Sequence, residues 1–273
     1  MQSIAMILLI IVMFISLYKL CNIFWGYYVT DKMYDKTIEH YVVENKKDKK
    51  GNSSGNKQQS SDRQVTSEED LEDENLWSKQ IQVNLNELQK INSDIIGWIY
   101  FENEDISYPI MHSDNNEDYI RATYLGETAT AGAIFMESNN SSDFSDLHTI
   151  IYGHNMRDLS MFGKLRYYKT KEGYYSEHKY FQIITNDKIC RYEIFAYKDV
   201  ASTSNIYTIY TKNAENFSDF VQTAIIDGSY IGADNSITDD KQVITLSTCA
   251  TEDNRFIVSA VKVAEYEMEN GDL

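Results

Sequence analysis

A mainly β fold, a barrel or a sandwich, is predicted for the C-terminal part of this chain, with an apolar helix ahead of it. Short runs of strand-like patterning recur between Gly97 and Met268, turn signals such as Thr185-Asn-Asp-Lys188 separate them, and helical patterning is confined to a few stretches. Of the 273 residues 42% are apolar and 13% aromatic, with a single Pro, enough to pack a core and to exclude wholesale disorder or a fibrous repeat. Formal charge is -17, from 25 Lys+Arg against 42 Asp+Glu. A chain this acidic is repelled by phosphate backbones, so no nucleic acid partner is expected. Cys21, Cys190 and Cys249 are the only cysteines, too few for a disulfide framework and without the paired spacing of a zinc site.

Residues 1–18 carry no charged side chain and include the run Ile4-Ala-Met-Ile-Leu-Leu-Ile-Ile-Val-Met-Phe-Ile15; after Lys19 a second uncharged stretch runs from Leu20 to Thr30. A bilayer needs about 20 mostly apolar residues, so residues 1–30 are expected to form an N-terminal transmembrane anchor. A cleaved signal peptide fits less well, because a basic leader is missing and Tyr18-Lys19-Leu20-Cys21-Asn22 is too bulky for a cleavage site. Tyr34, Ile38, Tyr41 and Val42 continue at helical spacing. From Lys46 to Asn75 only Val65 and Leu71 are apolar, and the run Glu68-Glu-Asp-Leu-Glu-Asp-Glu74 is acidic. Such a stretch cannot offset its ordering entropy, so residues 31–75 read as an extension and a flexible tether with a reach of roughly 30 Å. Anchor and tether are expected to add nothing to the core, which leaves residues 76–273 as the folded domain. Seven Lys or Arg lie between Lys19 and Lys50 and none before the span; taken alone, that count favours keeping the C-terminal side inside.

Within the domain the expected strands are Gly97–Phe101, Ile106–Met111, Gly132–Met136, His148–His154, Tyr180–Thr185, Ile189–Val200, Gln242–Cys249 and Arg255–Met268. Helical signals are an Asn84 N-cap with Glu87 ahead of Leu88 and Ile91, a turn at Asp118–Tyr124, a short piece at Leu159–Leu165, and Ala214–Ile226. The last has an apolar stripe of Phe217, Val221, Ala224 and Ile225, with Gly228 placed to stop it.

Cys249 ends the run Val243-Ile-Thr-Leu-Ser-Thr-Cys249 and the polar stretch Ala250-Thr-Glu-Asp-Asn254 follows. A nucleophile needs that placement, held by a strand and facing a loop. Cys190 shares an alternating face with Tyr192, Ile194 and Ala196 and reads as a small buried thiol. His154 ends Thr149-Ile-Ile-Tyr-Gly-His154, where Gly153 is expected to let the backbone turn sharply. A cysteine and a histidine at two strand ends can be neighbours in a closed sheet, the arrangement that Cys/His acyl transfer requires. Arg255 opens the last strand, either as a solvated cation or, beside a thiol, as a donor to a developing oxyanion.

At these residues the chain resembles the class B sortases, membrane-anchored cysteine transpeptidases of Gram-positive bacteria. The resemblance runs from about Leu85 to Lys262 and keeps the family order: Asn92-Ser-Asp-Ile-Ile-Gly-Trp98, Tyr108-Pro109-Ile, Asp114-Asn-Asn-Glu-Asp-Tyr119-Ile, Ala131-Gly-Ala-Ile-Phe-Met136, Tyr152-Gly-His154-Asn-Met156, Ser160-Met-Phe-Gly163, Thr245-Leu-Ser-Thr-Cys249 and Arg255-Phe-Ile-Val. It implies an eight-stranded β-barrel with flanking helices and the catalytic residues Cys249, His154 and Arg255. It further implies that Ser247, Thr248, Asn116 and Ile120 line the groove for a sorting peptide. The implied reaction cleaves a C-terminal sorting motif of a surface protein after Thr, through a thioacyl enzyme, and passes the protein to a peptidoglycan precursor amine. No metal or organic cofactor is implied, and the domain is placed outside the membrane, against the basic-residue count. Two departures stand out. The stretch from Cys249 to Arg255 is short, and Thr251 stands where some members carry an acid, which leaves the third partner of His154 unassigned. A hydrolysing Cys/His peptidase, a pilin-polymerising sortase and an inert anchored binding protein remain as other readings; capture by an added amine, the nature of that amine and thiol labelling separate them.

Overall fold

The computed structural model describes residues 2–44, 76–231, 237–249 and 254–268. The expected tether and the residues directly after Cys249 lie outside them.

The apolar N-terminus forms one helix, α1 (Gln2–Tyr41), followed by a short strand β1 (Val42–Glu44) that pairs antiparallel with β2 (Ile81–Val83). Helix α2 (Leu85–Ile91) begins where the Glu87 backbone N–H donates to the Asn84 side chain, as its cap signal predicts, and buries Leu85 and Leu88. Then come β3 (Ile95–Phe101), β4 (Ser107–Met111), β5 (Ile134–Met136), β6 (His148–His154), β7 (Tyr180–Ile184), β8 (Lys188–Ala201), helix α3 (Phe217–Ile226), β9 (Tyr230–Ile231), β10 (Val243–Cys249) and β11 (Asn254–Glu267). Short helical turns at Gly163–Arg166, Tyr167–Thr170, Tyr174–Glu177 and Asn205–Tyr207 lie in the connections.

Neighbouring strands run β11-β10-β6-β5-β4-β3-β7-β8, and β8 also pairs with β11 from Asn254↔Ala201 to Glu267↔Lys188. That last pairing closes an eight-stranded barrel, with β9 as an extra strand on β8. All eight expected strands are present. Closure leaves the barrel no free edge, which removes the hazard an open edge strand poses. Trp98, Phe101, Phe181, Tyr192, Leu246 and Val258 belong to the main core, where Trp98 Nε1 donates to Ser107 Oγ at 2.9 Å. A second core lies on the other face of β10 and β11, where Val243, Ile257 and Val261 meet Phe217, Val221 and Ile225 of α3.

α3 starts at Phe217, the first residue of its apolar stripe, three residues later than the expected Ala214. Asn216 is left-handed (φ 62), a conformation no helix interior takes, so the helix can begin only at Phe217; Gly228 (φ 69) ends it as expected. Gly153 does not turn the chain. It sits inside β6, and a Cβ there would come within 2.5 Å of Ile134 Cδ1 and 2.6 Å of Phe162 Cδ2, so the requirement is for close packing beneath the strand.

The N-terminal segment also departs from expectation, because it adds to the core. Tyr34 is 5% exposed and sits edge-on to Tyr108, with ring centroids 5.2 Å apart. Thr37 is buried against the Tyr124 hydroxyl at 2.6 Å, and the Asn84 N–H donates to the Tyr41 carbonyl at 2.9 Å. The helical spacing of Tyr34, Ile38 and Tyr41 is therefore the packing face of a helix that docks on the barrel.

Candidate active site

Three adjacent strands position the predicted residues. β10 runs parallel to β6, and Cys249 is the register partner of His154. On its other side β10 is antiparallel to β11, with Ser247 opposite Ile257 as the last pair, two residues short of Cys249 on one strand and of Arg255 on the other. Paired residues share a face and neighbouring strands lie about 4.8 Å apart. His154 and Cys249 thus form one row at the end of two strands, and Arg255 stands at the start of the third, near enough for its charge to act on the His154 ring. Tyr152 and Ser247 form the next row back on the same face.

His154 is half-buried, and the Thr130 carbonyl accepts a hydrogen bond from its ring. Among the described residues Nε2 has no partner, so Nδ1 is the donor and Nε2 is the nitrogen left for chemistry. Burial holds the imidazole below its ordinary pKa, the Arg121 guanidinium pushes it further down, Thr130 opposes, and Arg255 adds to the depression. Together these effects favour the neutral form of the ring. The two guanidinium charges that disfavour an imidazolium also favour an anion beside it. The third partner of His154 is a backbone carbonyl, where the sequence left the position open for an acid.

Two segments wall this face. On one side the connection from β4 to β5 brings Asn116, Ile120, Arg121 and Thr130. Asn116 Nδ2 donates to Glu137 Oε1 at 2.7 Å, and its Oδ1 accepts from the Ser138 N–H at 2.7 Å. Glu137, 8% exposed, also accepts from the Tyr152 hydroxyl at 2.9 Å. Burial acts to raise its pKa, but the hydrogen bonds from Asn116, Tyr152 and Asn139 outweigh it and hold the carboxyl below its usual range. Glu137 therefore ties the candidate groove residue Asn116 to the strand that carries His154. Ile120 is half-buried, and its carbonyl lies where a Cβ on Gly132 would be, 2.5 Å away. On the other side the segment after β8 lays the Tyr207 ring parallel to Tyr152, with centroids 6.3 Å apart, and bonds its hydroxyl to Ser247 Oγ at 3.0 Å.

The structure brings Ser247 to the site face, fully buried beneath Tyr207. Thr248 does not reach that face. It is buried on the opposite side of β10, where its hydroxyl accepts from the Phe256 N–H at 3.1 Å, because alternation turns every second strand residue away. Cys190 is buried as expected, its thiol pushed up to about 12 by burial and by Glu265; Cys21 is exposed on α1. Sequence reasoning missed Thr130, Arg121, Glu137 and Tyr207. Arg121 alone carried a signal, as the residue next to Ile120.

At the far end of the same face lies a second histidine. His148 Nδ1 is 2.7 Å from the Thr208 carbonyl, which can only accept, so Nε2 accepts from Thr245 Oγ1 at 2.8 Å; Thr245 in turn lies 2.9 Å from Ser259 Oγ. Complete burial lowers the His148 pKa to about 4, and this closed ladder fastens the segment carrying Tyr207 to the catalytic sheet.

A family profile described as Sortase domain matches residues 99–263. Sortase B of Listeria monocytogenes is 36% identical over 170 residues, 62% of this chain and 68% of that protein. Sortase B of Staphylococcus aureus is 31% identical over 182 residues, 64% of this chain and 72% of that protein. Among solved structures, a Staphylococcus aureus sortase B–substrate complex superposes with a TM-score of 0.61 at 26% identity, over 71% of this chain and 90% of that one.

Proposed function

The chain belongs to the class B sortases, cysteine transpeptidases that anchor surface proteins, and we propose that its reaction is carried by His154, Cys249 and Arg255. What supports the assignment is the pairing of Cys249 with His154 at adjoining strand ends, with the Arg255 charge felt at the imidazole.

Cys249 Sγ attacks the carbonyl of Thr in a C-terminal sorting motif and its proton passes to His154 Nε2. The Arg255 guanidinium donates to the oxyanion of the tetrahedral intermediate. Collapse breaks the C–N bond, the leaving amine takes the proton from Nε2, and a thioester joins the substrate to Sγ. An incoming amine of a peptidoglycan precursor then attacks the thioester, gives up a proton through His154 and restores the thiol. A neutral His154 with its Nδ1–H held by Thr130 is set to accept in the first half and to donate at bond breaking. Asn116 and Ile120 on one wall and Tyr207 over Ser247 on the other bound the groove for the peptide.

α1 is long and apolar enough to cross a membrane, with a mean hydropathy of 2.4 over its best window and none of that window buried. It serves as a single-pass anchor with the catalytic domain on the extracytoplasmic side, where sorting-motif proteins and the wall amine are found.

The test is the partition of acyl product between water and an added amine, measured on a small library of sorting peptides. Amine-ligated product dominating at millimolar amine supports transpeptidation. Hydrolysis unaffected by amine would return the chain to the peptidase reading, and a preference for a protein Lys over a wall-type amine to the pilin-polymerising one.

A further inference from the structure

Taking α1 as the anchor of the preceding reading, we infer that this helix mounts the catalytic end of the barrel directly against the lipid headgroups, and that the path from membrane to enzyme runs through α1 and its docked face.

Four observations carry this. α1 runs unbroken from Gln2 to Tyr41, and at Gly26, its weakest helix former, the Thr30 hydroxyl donates to the Gly26 carbonyl at 3.0 Å. Its surroundings change abruptly along its length. Leu9, Phe24, Trp25 and Tyr28 are 71%, 62%, 65% and 56% exposed, whereas Tyr34 and Thr37 are 5% and 2% exposed. The first set is apolar surface that the described chain leaves for lipid, closed by Trp25 and Tyr28 in the way aromatic residues mark a membrane interface. Lys19 lies inside this stretch, with a stem long enough to carry its ammonium to the interface. From Tyr28 to Tyr34 the helix rises only about 9 Å.

The barrel surface that receives α1 is the end that carries the site. The Tyr34 hydroxyl donates to the Gly132 carbonyl at 3.3 Å, just ahead of β5, whose Phe135 pairs with Tyr152. Tyr108, which packs on Tyr34, accepts from the Met161 N–H at 3.0 Å in the loop that follows His154. A small cleft shared by Tyr27, Thr30 and Asp31 of α1 with Asp158 and Ser160 brings that loop down to the level of the aromatic belt. The opposite end of the barrel, where Lys241 precedes β10, points away.

The fourth observation concerns the supposed tether. β1 follows α1 without a break and pairs with β2 in the register Val42↔Val83 to Glu44↔Ile81. Residues 44 and 81 are therefore ladder neighbours roughly 5 Å apart. Both ends of the expected tether are thus held in one place, and the height of the barrel above the membrane is set by α1. A flexible spacer would let the active site range over tens of ångströms, whereas a helix docked through Tyr34 and Thr37 fixes its height.

The test uses the full chain in phosphatidylcholine vesicles containing headgroup-nitroxide lipid, in a Cys21→Ser, Cys249→Ala background in which Cys190 is buried. A fluorophore is attached at Asp158→Cys, at the neighbouring exposed position Arg157→Cys, or at Lys241→Cys. Strong quenching is expected at 157 and 158 and none at 241. Replacing residues 46–75 by a short Gly-Ser turn should leave that pattern unchanged, and a flexible Gly-Ser insert between Tyr28 and Val29 should abolish quenching at 158. Equal signals at 158 and 241, or a pattern lost on removal of 46–75, would overturn the mount while the anchor stands. A chain that fails to float with the vesicles would overturn the anchor, and the mount with it.

Discussion

The two histidines of β6 stand at opposite ends of one strand, on one face, and have opposite surroundings. His148 is wholly buried, both its nitrogens are matched, and the ladder through Thr245 to Ser259 continues across β10 and β11. His154 is half-exposed, one nitrogen is held by a backbone carbonyl, and Nε2 is without a partner among the described residues. In both, burial depresses the imidazole pKa. On the proposed mechanism, what separates a structural from a chemical histidine here is a register neighbour that can react, Cys249, together with a nitrogen kept available for it. The same strands would then supply stability at one end and chemistry at the other.

The largest effect that would sharpen this contrast is expected from the cysteines. Cys249→Ala should lower peptide cleavage on the order of 10⁴-fold or more, as loss of a nucleophile does, with the melting temperature nearly unchanged. Cys190→Ala should keep cleavage and lower the melting temperature, since it empties a buried site. Cleavage by the Cys249 variant at an appreciable fraction of the parent rate would break the contrast outright.

Arg255→Ala should cost about a hundredfold to a thousandfold in turnover, the usual effect of removing one oxyanion donor. Arg255→Lys should still lose much of the rate, because the charge remains but the planar fork does not. Steady-state kinetics at fixed peptide decide it. A Lys variant with parental turnover would reduce the role of Arg255 to electrostatics.

The closed end makes a stability prediction. The folded pKa of His148, about 4, lies below its unfolded value near ~6.5, so the unfolded chain binds more protons as pH falls. Stability from this group is intact above pH ~6.5 and roughly 3 kcal/mol of it is lost by about pH 4. His148→Leu should remove that slope in urea titrations and lower stability at pH 7 by about 1–3 kcal/mol, because the Thr208 carbonyl is stranded. An unchanged slope in the variant would assign the acid sensitivity elsewhere.

Arg121→Gln should have the smallest effect. Removing one positive charge from beside His154 lets its pKa rise toward the ordinary value, so the acid limb of the cleavage profile moves to higher pH while the peptide KM stays near that of the parent. An acid limb that does not move would place Arg121 outside the field of the imidazole.

Much of this was legible in the sequence, for identifiable reasons. The eight barrel strands carry alternation dense enough to mark them, and Cys249, His154 and Arg255 each stand beside polar loop residues at a strand end. The partners that give those residues their properties were not legible. Every residue has a carbonyl, so nothing marked Thr130 as the one that orients His154. Glu137 looked like any acid after a short strand, because its partners Asn116 and Tyr152 lie 21 and 15 residues away. Thr248 was placed in the groove by its position next to the nucleophile, although strand alternation already turned it inward. Tyr34 showed its helical spacing, but its partners Tyr108 and Tyr124 are known only from the fold.

The most direct measurement of the central claim is the intact mass of the enzyme mixed with a cleavable sorting peptide in the absence of amine, followed by peptide mapping. An adduct equal to the acyl part of the peptide is expected on Cys249, discharged when a wall-type amine is added and missing from Cys249→Ala. An adduct mapped to another residue, or cleavage with no adduct under conditions that stall the second step, would contradict a thioacyl enzyme built on His154, Cys249 and Arg255.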